Sequence, residues 1–78
     1  MLDREFEMEE LRRADRHIDR AQQIIAEQQL ELGRLRLKGY NTKLAEQTLE
    51  VFEEGLRTMD LHRDLIFRVI QQIDRGVW

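Results

Sequence analysis

The sequence predicts an all-α protein, an antiparallel hairpin of two long helices. Two apolar stripes, each with alternating spacings of three and four residues, indicate the two helices. A break around Gly39 separates the stripes, and the 78-residue chain has no proline that would interrupt a helix. We therefore expect a single domain with helix one at about residues 3–38, the turn at 39–42 and helix two at about 43–75.

The two stripes face each other when the chain folds back at the turn. The first runs from Leu11 to Leu35, and the second runs from Ala45 to Ile73. Antiparallel pairing brings their apolar residues together as in a coiled coil, forming an interhelical seam. The predicted seam residues are Leu11, Ala14, Ile18, Ala21, Ile25, Gln28, Leu32, Leu35, Leu49, Phe52, Leu56, Met59, Ile66, Ile70 and Ile73.

The helix ends carry their own signals. Gly39 follows the last turn of helix one, where a positive φ commonly ends a helix. Thr42 is the predicted N-cap of helix two, with Asn41 as the alternative. Each helix begins with acidic residues and ends with basic ones, so charge also favours the antiparallel arrangement.

Helix two has a second apolar series, displaced by one residue from its seam stripe. The matching flank of helix one is polar, so one hairpin would leave this series uncovered. Gly55 lies in its middle, and a helical glycine costs about 1 kcal/mol relative to alanine, which calls for a packing reason. We expect a homodimer in which two hairpins form a four-helix bundle. The predicted dimer interface comprises Leu44, Thr48, Val51, Gly55, Thr58, His62, Leu65 and Val69.

One alternative to this interface stays open. Leu44, Val51 and Leu65 could simply widen one core face, since isolated apolar residues are common on protein surfaces. At the open end of the hairpin, Trp78 could form a small apolar lid with Phe6 and Val77, or it could anchor a protein partner. A second, weaker patch on the back of helix one could rest on a partner protein or on Tyr40. The patch consists of Ala26, Leu30, Gly33 and Leu37.

No group of residues in the chain predicts an enzyme or a cofactor. The chain contains no cysteine and no serine to serve as a nucleophile, and its paired carboxylates fall on exposed helix faces. His17 and His62 occupy the same flank of the hairpin. Their flank is the basis of the alternative function, a dimer that binds a metal or a small ligand. Ordinary interface contacts are the simpler interpretation, because neither helix has two histidines four residues apart.

Arg63 and Gln28 are polar residues at seam positions. One polar residue in such a seam can fix the register of the helices. For Arg63, the favoured interpretation is that its methylenes follow the seam while its guanidinium reaches out near Asp15 or Asp60.

Charge argues against nucleic acid and membrane partners. The net charge is −3, and the basic cluster from Arg12 to Arg20 is interrupted by Asp15 and Asp19. A solvated helix face explains this cluster better than a nucleic-acid site. The chain has no Lys/Arg-rich amphipathic face, no apolar run of membrane length and no signal-peptide pattern at its start. We expect a cytoplasmic location.

Several short segments resemble a family. They are residues 14–18 (Ala-Asp-Arg-His-Ile), the turn 39–42 followed by 44–46 (Leu-Ala-Glu), and the later Phe52 and His62. In these segments the chain is similar to small uncharacterised helical-hairpin proteins of alphaproteobacteria. Those proteins more often have His-Asp where this chain has Tyr40 and Asn41. The resemblance covers most of the chain and implies a helical hairpin in a bacterial cytoplasm, but no activity.

Overall fold

The fold is a rod made of two antiparallel helices. The computed structural model describes residues 3–76, which form α1 (Arg4–Leu37) and α2 (Lys43–Asp74) joined by a short turn. The Cα atoms extend 59 × 15 × 14 Å. The predicted all-α hairpin is confirmed, and both helices end within one residue of the predicted bounds.

Local hydrogen bonds explain where α1 begins and ends. The carboxylate of Asp3 accepts a hydrogen bond of 3.0 Å from the backbone N–H of Glu5, which caps the first turn. At the other end, Gly39 has φ +78°. The N–H of Gly39 donates to the Arg36 carbonyl and the N–H of Tyr40 donates to the Leu35 carbonyl, both at 3.1 Å. This is a Schellman motif, and it confirms the predicted role of Gly39.

The start of α2 corrects one prediction. Thr42 is the residue before the helix, but its side chain makes no capping hydrogen bond. Asn41 supplies the bond instead, because its Oδ1 accepts from the backbone N–H of Lys43 at 3.0 Å. Thr42 has ψ 8° rather than the extended backbone that is usual at an N-cap. The predicted position was right and the predicted capping side chain was wrong.

The buried core follows the predicted seam. Ala14, Ile66 and Ile70 form a cluster in the half of the rod away from the turn, and Met8 and Leu11 pack against it. Met8 was not predicted to join the core, although it lies one helical turn before Leu11. The buried residues of the described chain are Ala14, Ile25, Leu32, Ile66 and Ile70.

Ion pairs link the two helices along the length of the rod. Near the turn, Arg36 Nη2 lies 2.6 Å from Glu46 Oε1, which joins the basic end of α1 to the acidic start of α2 as predicted. At the open end the charges are the other way round: the start of α1 supplies the basic residue and the end of α2 the acidic one. Arg4 Nε lies 2.7 Å from Asp74 Oδ1. The expectation that an acidic start always meets a basic end is therefore wrong there. The register across the hairpin selects these partners, not the average charge of each half-helix.

Arg63 makes the third interhelical pair. Its Nε lies 2.5 Å from Asp15 Oδ1, and its guanidinium carbon lies 6.0 Å from the ring centroid of Phe67. The side chain thus leaves the seam and ends at the edge of the hairpin, as its favoured interpretation predicted. Such a partly exposed pair contributes little to stability, so its main effect is on geometry.

Candidate interaction surface

The two long edges of the hairpin differ in chemistry. On one side, three carboxylates form interhelical ion pairs, and each lies one residue after a seam position. They belong to Asp15, Glu46 and Asp74. We call this side the ion-pair edge. The opposite side carries the residues one position before the seam, and we call it the open edge. On α2 this open edge is the second apolar series predicted from the sequence.

The open edge of α2 is exposed in the single chain. Leu44 is 76% exposed, Val51 70% and Leu65 57%. No member of the series is fully buried. The half-buried ones are Thr48, Gly55 and Val69, while Thr58 and His62 are exposed. The hairpin therefore does not use these residues as its own core.

An apolar groove of about 410 Å³ opens at the middle of this edge. It explains why Phe52 and Met59, although at seam positions, are still 38% and 37% exposed. Ile24 also lines the groove, and the sequence reasoning missed its role because its neighbours on that flank are polar. The lining residues are His17, Arg20, Ala21, Ile24, Val51, Phe52, Gly55 and Met59.

Gly55 has no packing reason within the hairpin. A Cβ atom built on Gly55 would meet nothing within 4 Å, and the same holds for Gly33 in α1. Since a helical glycine costs about 1 kcal/mol relative to alanine, the contacts of the single chain do not account for glycine at position 55.

The two threonines of the open edge already use their hydroxyl groups. Thr48 Oγ1 donates to the Leu44 carbonyl at 2.9 Å, and Thr58 Oγ1 donates to the Glu54 carbonyl at 3.2 Å. Back-bonding of this kind leaves no free hydroxyl donor. A partner could therefore cover both side chains without creating an unsatisfied donor, which would cost about 1 to 3 kcal/mol.

The histidines do not assemble a metal centre in the single chain. His17 and His62 are both exposed, and only His17 lines the groove. Within residues 3–76, no set of three or more histidine, aspartate or glutamate side chains is placed to hold a metal ion. The patch on the back of α1 is likewise spread over the surface, with Ala26, Leu30, Gly33 and Leu37 all exposed. Val77 and Trp78 lie outside the described residues.

The shifted pKa values belong to groups in partly exposed ion pairs. The hydrogen bond from Arg4 holds the pKa of Asp74 below its ordinary value, and that from Arg12 does the same for Glu9. The hydrogen bond to Asp15 raises the pKa of Arg63. The Arg4–Asp74 and Arg63–Asp15 pairs link the two helices, and the Arg12–Glu9 pair lies within α1. All three pairs have a structural role.

No family model matches the chain, and neither does a curated protein or a solved structure. The resemblance to alphaproteobacterial hairpin proteins therefore stays a prediction. In the described part of the chain, neither helix combines the length and the apolar character needed to cross a membrane.

Proposed function

We propose that this chain is a non-enzymatic structural or protein-interaction module that acts as a helical homodimer. Two hairpins associate through the open edge of α2 and form a four-helix bundle. The observation that carries the proposal is the exposed apolar series on α2, interrupted by a glycine that the hairpin itself does not need. A cytoplasmic location is part of the same proposal.

The size of the face supports a second copy as the occupant. The Cα atoms of the rod extend 59 × 15 Å along this face, so a second hairpin of the same length can cover the face from end to end. On α2, the apolar residues of the open edge and threonines without free donors suit a dry contact between the two α2 helices. A second copy also supplies an identical apolar series, so both hairpins are covered at once.

Substitution of Gly55 tests the proposal. Gly55→Leu places a large side chain at the point where two α2 helices approach, and overpacking of this kind costs about 1 to 3 kcal/mol. We expect the dissociation constant from sedimentation equilibrium to rise by about 5- to 150-fold. Gly33→Leu is the matched control, because Gly33 is also helical with open space around it but lies on the back of α1.

The control should dimerise like the parent protein. Equal dimerisation of the parent and Gly55→Leu would remove the open edge from the interface. A parent protein that stays monomeric at micromolar concentration would overturn the homodimer itself.

The alternative function, a metal-binding or ligand-binding dimer built on His17 and His62, has no observation in its favour among the described residues. We therefore do not propose it. It stays a prediction from the sequence.

A further inference from the structure

We infer that the two hairpins pair antiparallel, with a two-fold axis that crosses α2 between Gly55 and Thr58 and crosses α1 near Gln22. The inference rests on the proposed homodimer and adds its orientation and register. It places the turns of the two copies at opposite ends of the bundle. Two independent patterns, one apolar and one charged, lead to this axis.

The apolar pattern lies on α2. Steps of four and three residues alternate along its open edge. When two copies of this edge run antiparallel, a residue followed by a step of four faces a residue followed by a step of three. The small residues meet at the centre, which allows close approach, and larger side chains meet outside. The facing pairs, one residue from each copy, are Leu44 with Val69, Thr48 with Leu65, Val51 with His62 and Gly55 with Thr58.

A charged pair flanks this centre. Glu54 and Arg57 lie one residue before Gly55 and Thr58. Glu54 of one copy is therefore offset by only about 3 Å along the rod from Arg57 of the other copy. In the single chain, Arg57 Nη2 is 3.9 Å from Glu54 Oε1 and both side chains are largely exposed. Both are free to make a second, intermolecular pair, and the two-fold axis repeats it.

The charged pattern lies on the open edge of α1. Placing two α1 helices antiparallel about Gln22 sets every basic residue of this edge, except Arg20, opposite an acidic one. Arg20 faces Ile24, the isoleucine that lines the groove. The remaining pairs are Arg13 with Glu31, Arg34 with Glu10 and His17 with Glu27.

The hairpin joins the two patterns. The ion pairs on either side of the centre, Arg63 with Asp15 and Arg36 with Glu46, place the point between Gly55 and Thr58 opposite residues 21–26 of α1. The apolar layers of α2 and the charges of α1 therefore place the axis at heights that agree to within about one helical turn. The central groove lies at this height, so each copy covers the groove of the other.

The opposite orientation pairs unlike surfaces. If the two-fold axis ran along the bundle, the open edge of α2 would lie over the polar edge of α1. Val51 and Leu65 would then face arginines and glutamates, which would lose solvation without gaining partners. Antiparallel pairing avoids this cost, because α2 lies on α2 and α1 lies on α1.

Distances between spin labels test the orientation. The chain has no cysteine, so Lys43→Cys and Gln71→Cys each introduce one nitroxide site at an exposed position near one end of α2. At a rise of 1.5 Å per residue, antiparallel pairing places the two labels about 40 Å apart in the Lys43→Cys dimer and about 44 Å apart in the Gln71→Cys dimer. Mixing the two labelled proteins should add a new distance below about 20 Å.

The opposite result is equally clear. Short distances in each single-site dimer, with about 42 Å in the mixture, would overturn the antiparallel orientation and leave the homodimer intact. An absence of any intermolecular distance, together with a monomer mass in sedimentation, would overturn the homodimer as well.

Discussion

Asp74 is an exposed residue whose carboxylate makes the stability of the hairpin depend on pH. Its carboxylate accepts a 2.7 Å hydrogen bond from Arg4 Nε, which ties the last turn of α2 to the first turn of α1. Asp15 does the same for Arg63 in the middle of the rod. Both carboxylates lie one residue after a seam position. At the scale of single residues, these ion pairs therefore follow from the register of the hairpin, which brings each carboxylate opposite an arginine.

The lowered pKa values of Asp74 and Glu9 predict acid sensitivity. A carboxylate with a lowered folded-state pKa stabilises the fold above its unfolded pKa, and this contribution is lost as pH falls through the folded value. We expect the free energy of unfolding by urea to fall as pH drops below about 4. Asp74→Asn should reduce this pH dependence, because one such carboxylate is gone.

Asp19→Asn is the control for the acid effect. Asp19 forms no ion pair with any residue from 3 to 76, so its replacement should leave the contribution of the Arg4–Asp74 pair intact. A pH dependence that Asp74→Asn leaves unchanged would contradict the role assigned to this pair.

At the scale of the elements, the helices are delimited by a few backbone hydrogen bonds. Gly39 ends α1 with a positive φ that other residues adopt only with strain, and the turn residues satisfy the last carbonyls. Asn41 then caps the start of α2. These bonds determine the length of the turn, and the turn length determines which residues of the two helices face each other.

The cap of α2 can be tested by two neighbouring substitutions. Asn41→Ala removes the acceptor of the Lys43 N–H, so we expect a loss of about 1 kcal/mol in unfolding free energy. Thr42→Ala should cost less, because the Thr42 side chain makes no capping bond. Urea denaturation at one fixed protein concentration measures both. A larger loss for Thr42→Ala than for Asn41→Ala would show that the threonine is the true cap.

At the scale of the whole molecule, the hairpin is asymmetric from one long edge to the other. Ion pairs cross between the helices on one edge, whereas the other presents an apolar series and an open groove. A second copy turned by a two-fold axis covers the open edge and leaves the ion-pair edge in water. The charges on α1 would then favour the antiparallel orientation of the two hairpins over the parallel one.

Charge reversal on α1 tests this selection. Arg13→Glu sets glutamate against Glu31 in a homodimer, and Glu31→Arg sets arginine against Arg13. Each variant alone should dimerise more weakly than the parent, whereas an equimolar mixture of the two restores opposite charges at both sites. We expect heterodimers to exceed the fraction given by random exchange, as measured by native mass spectrometry at low salt.

Arg16→Glu and Asp19→Arg form the control mixture. These substitutions change the net charges by equal amounts on the outer side of α1, where no second copy is proposed. Their mixture should give the random fraction of heterodimers. Equal fractions in the two mixtures would argue against contact between the two α1 helices.

The helices, the turn at Gly39 and the seam could be read from local sequence, because apolar spacing, glycine and the absence of proline act over a few residues. The exposed series on α2 could be read in the same way. The packed hairpin was needed to show that Asn41 is the capping side chain, that Arg4 pairs with Asp74 and that Ile24 joins Phe52 and Met59 in an open groove. These features depend on which residues reach the same height on opposite helices, and such heights follow from packing over the whole length of the rod rather than from any single segment.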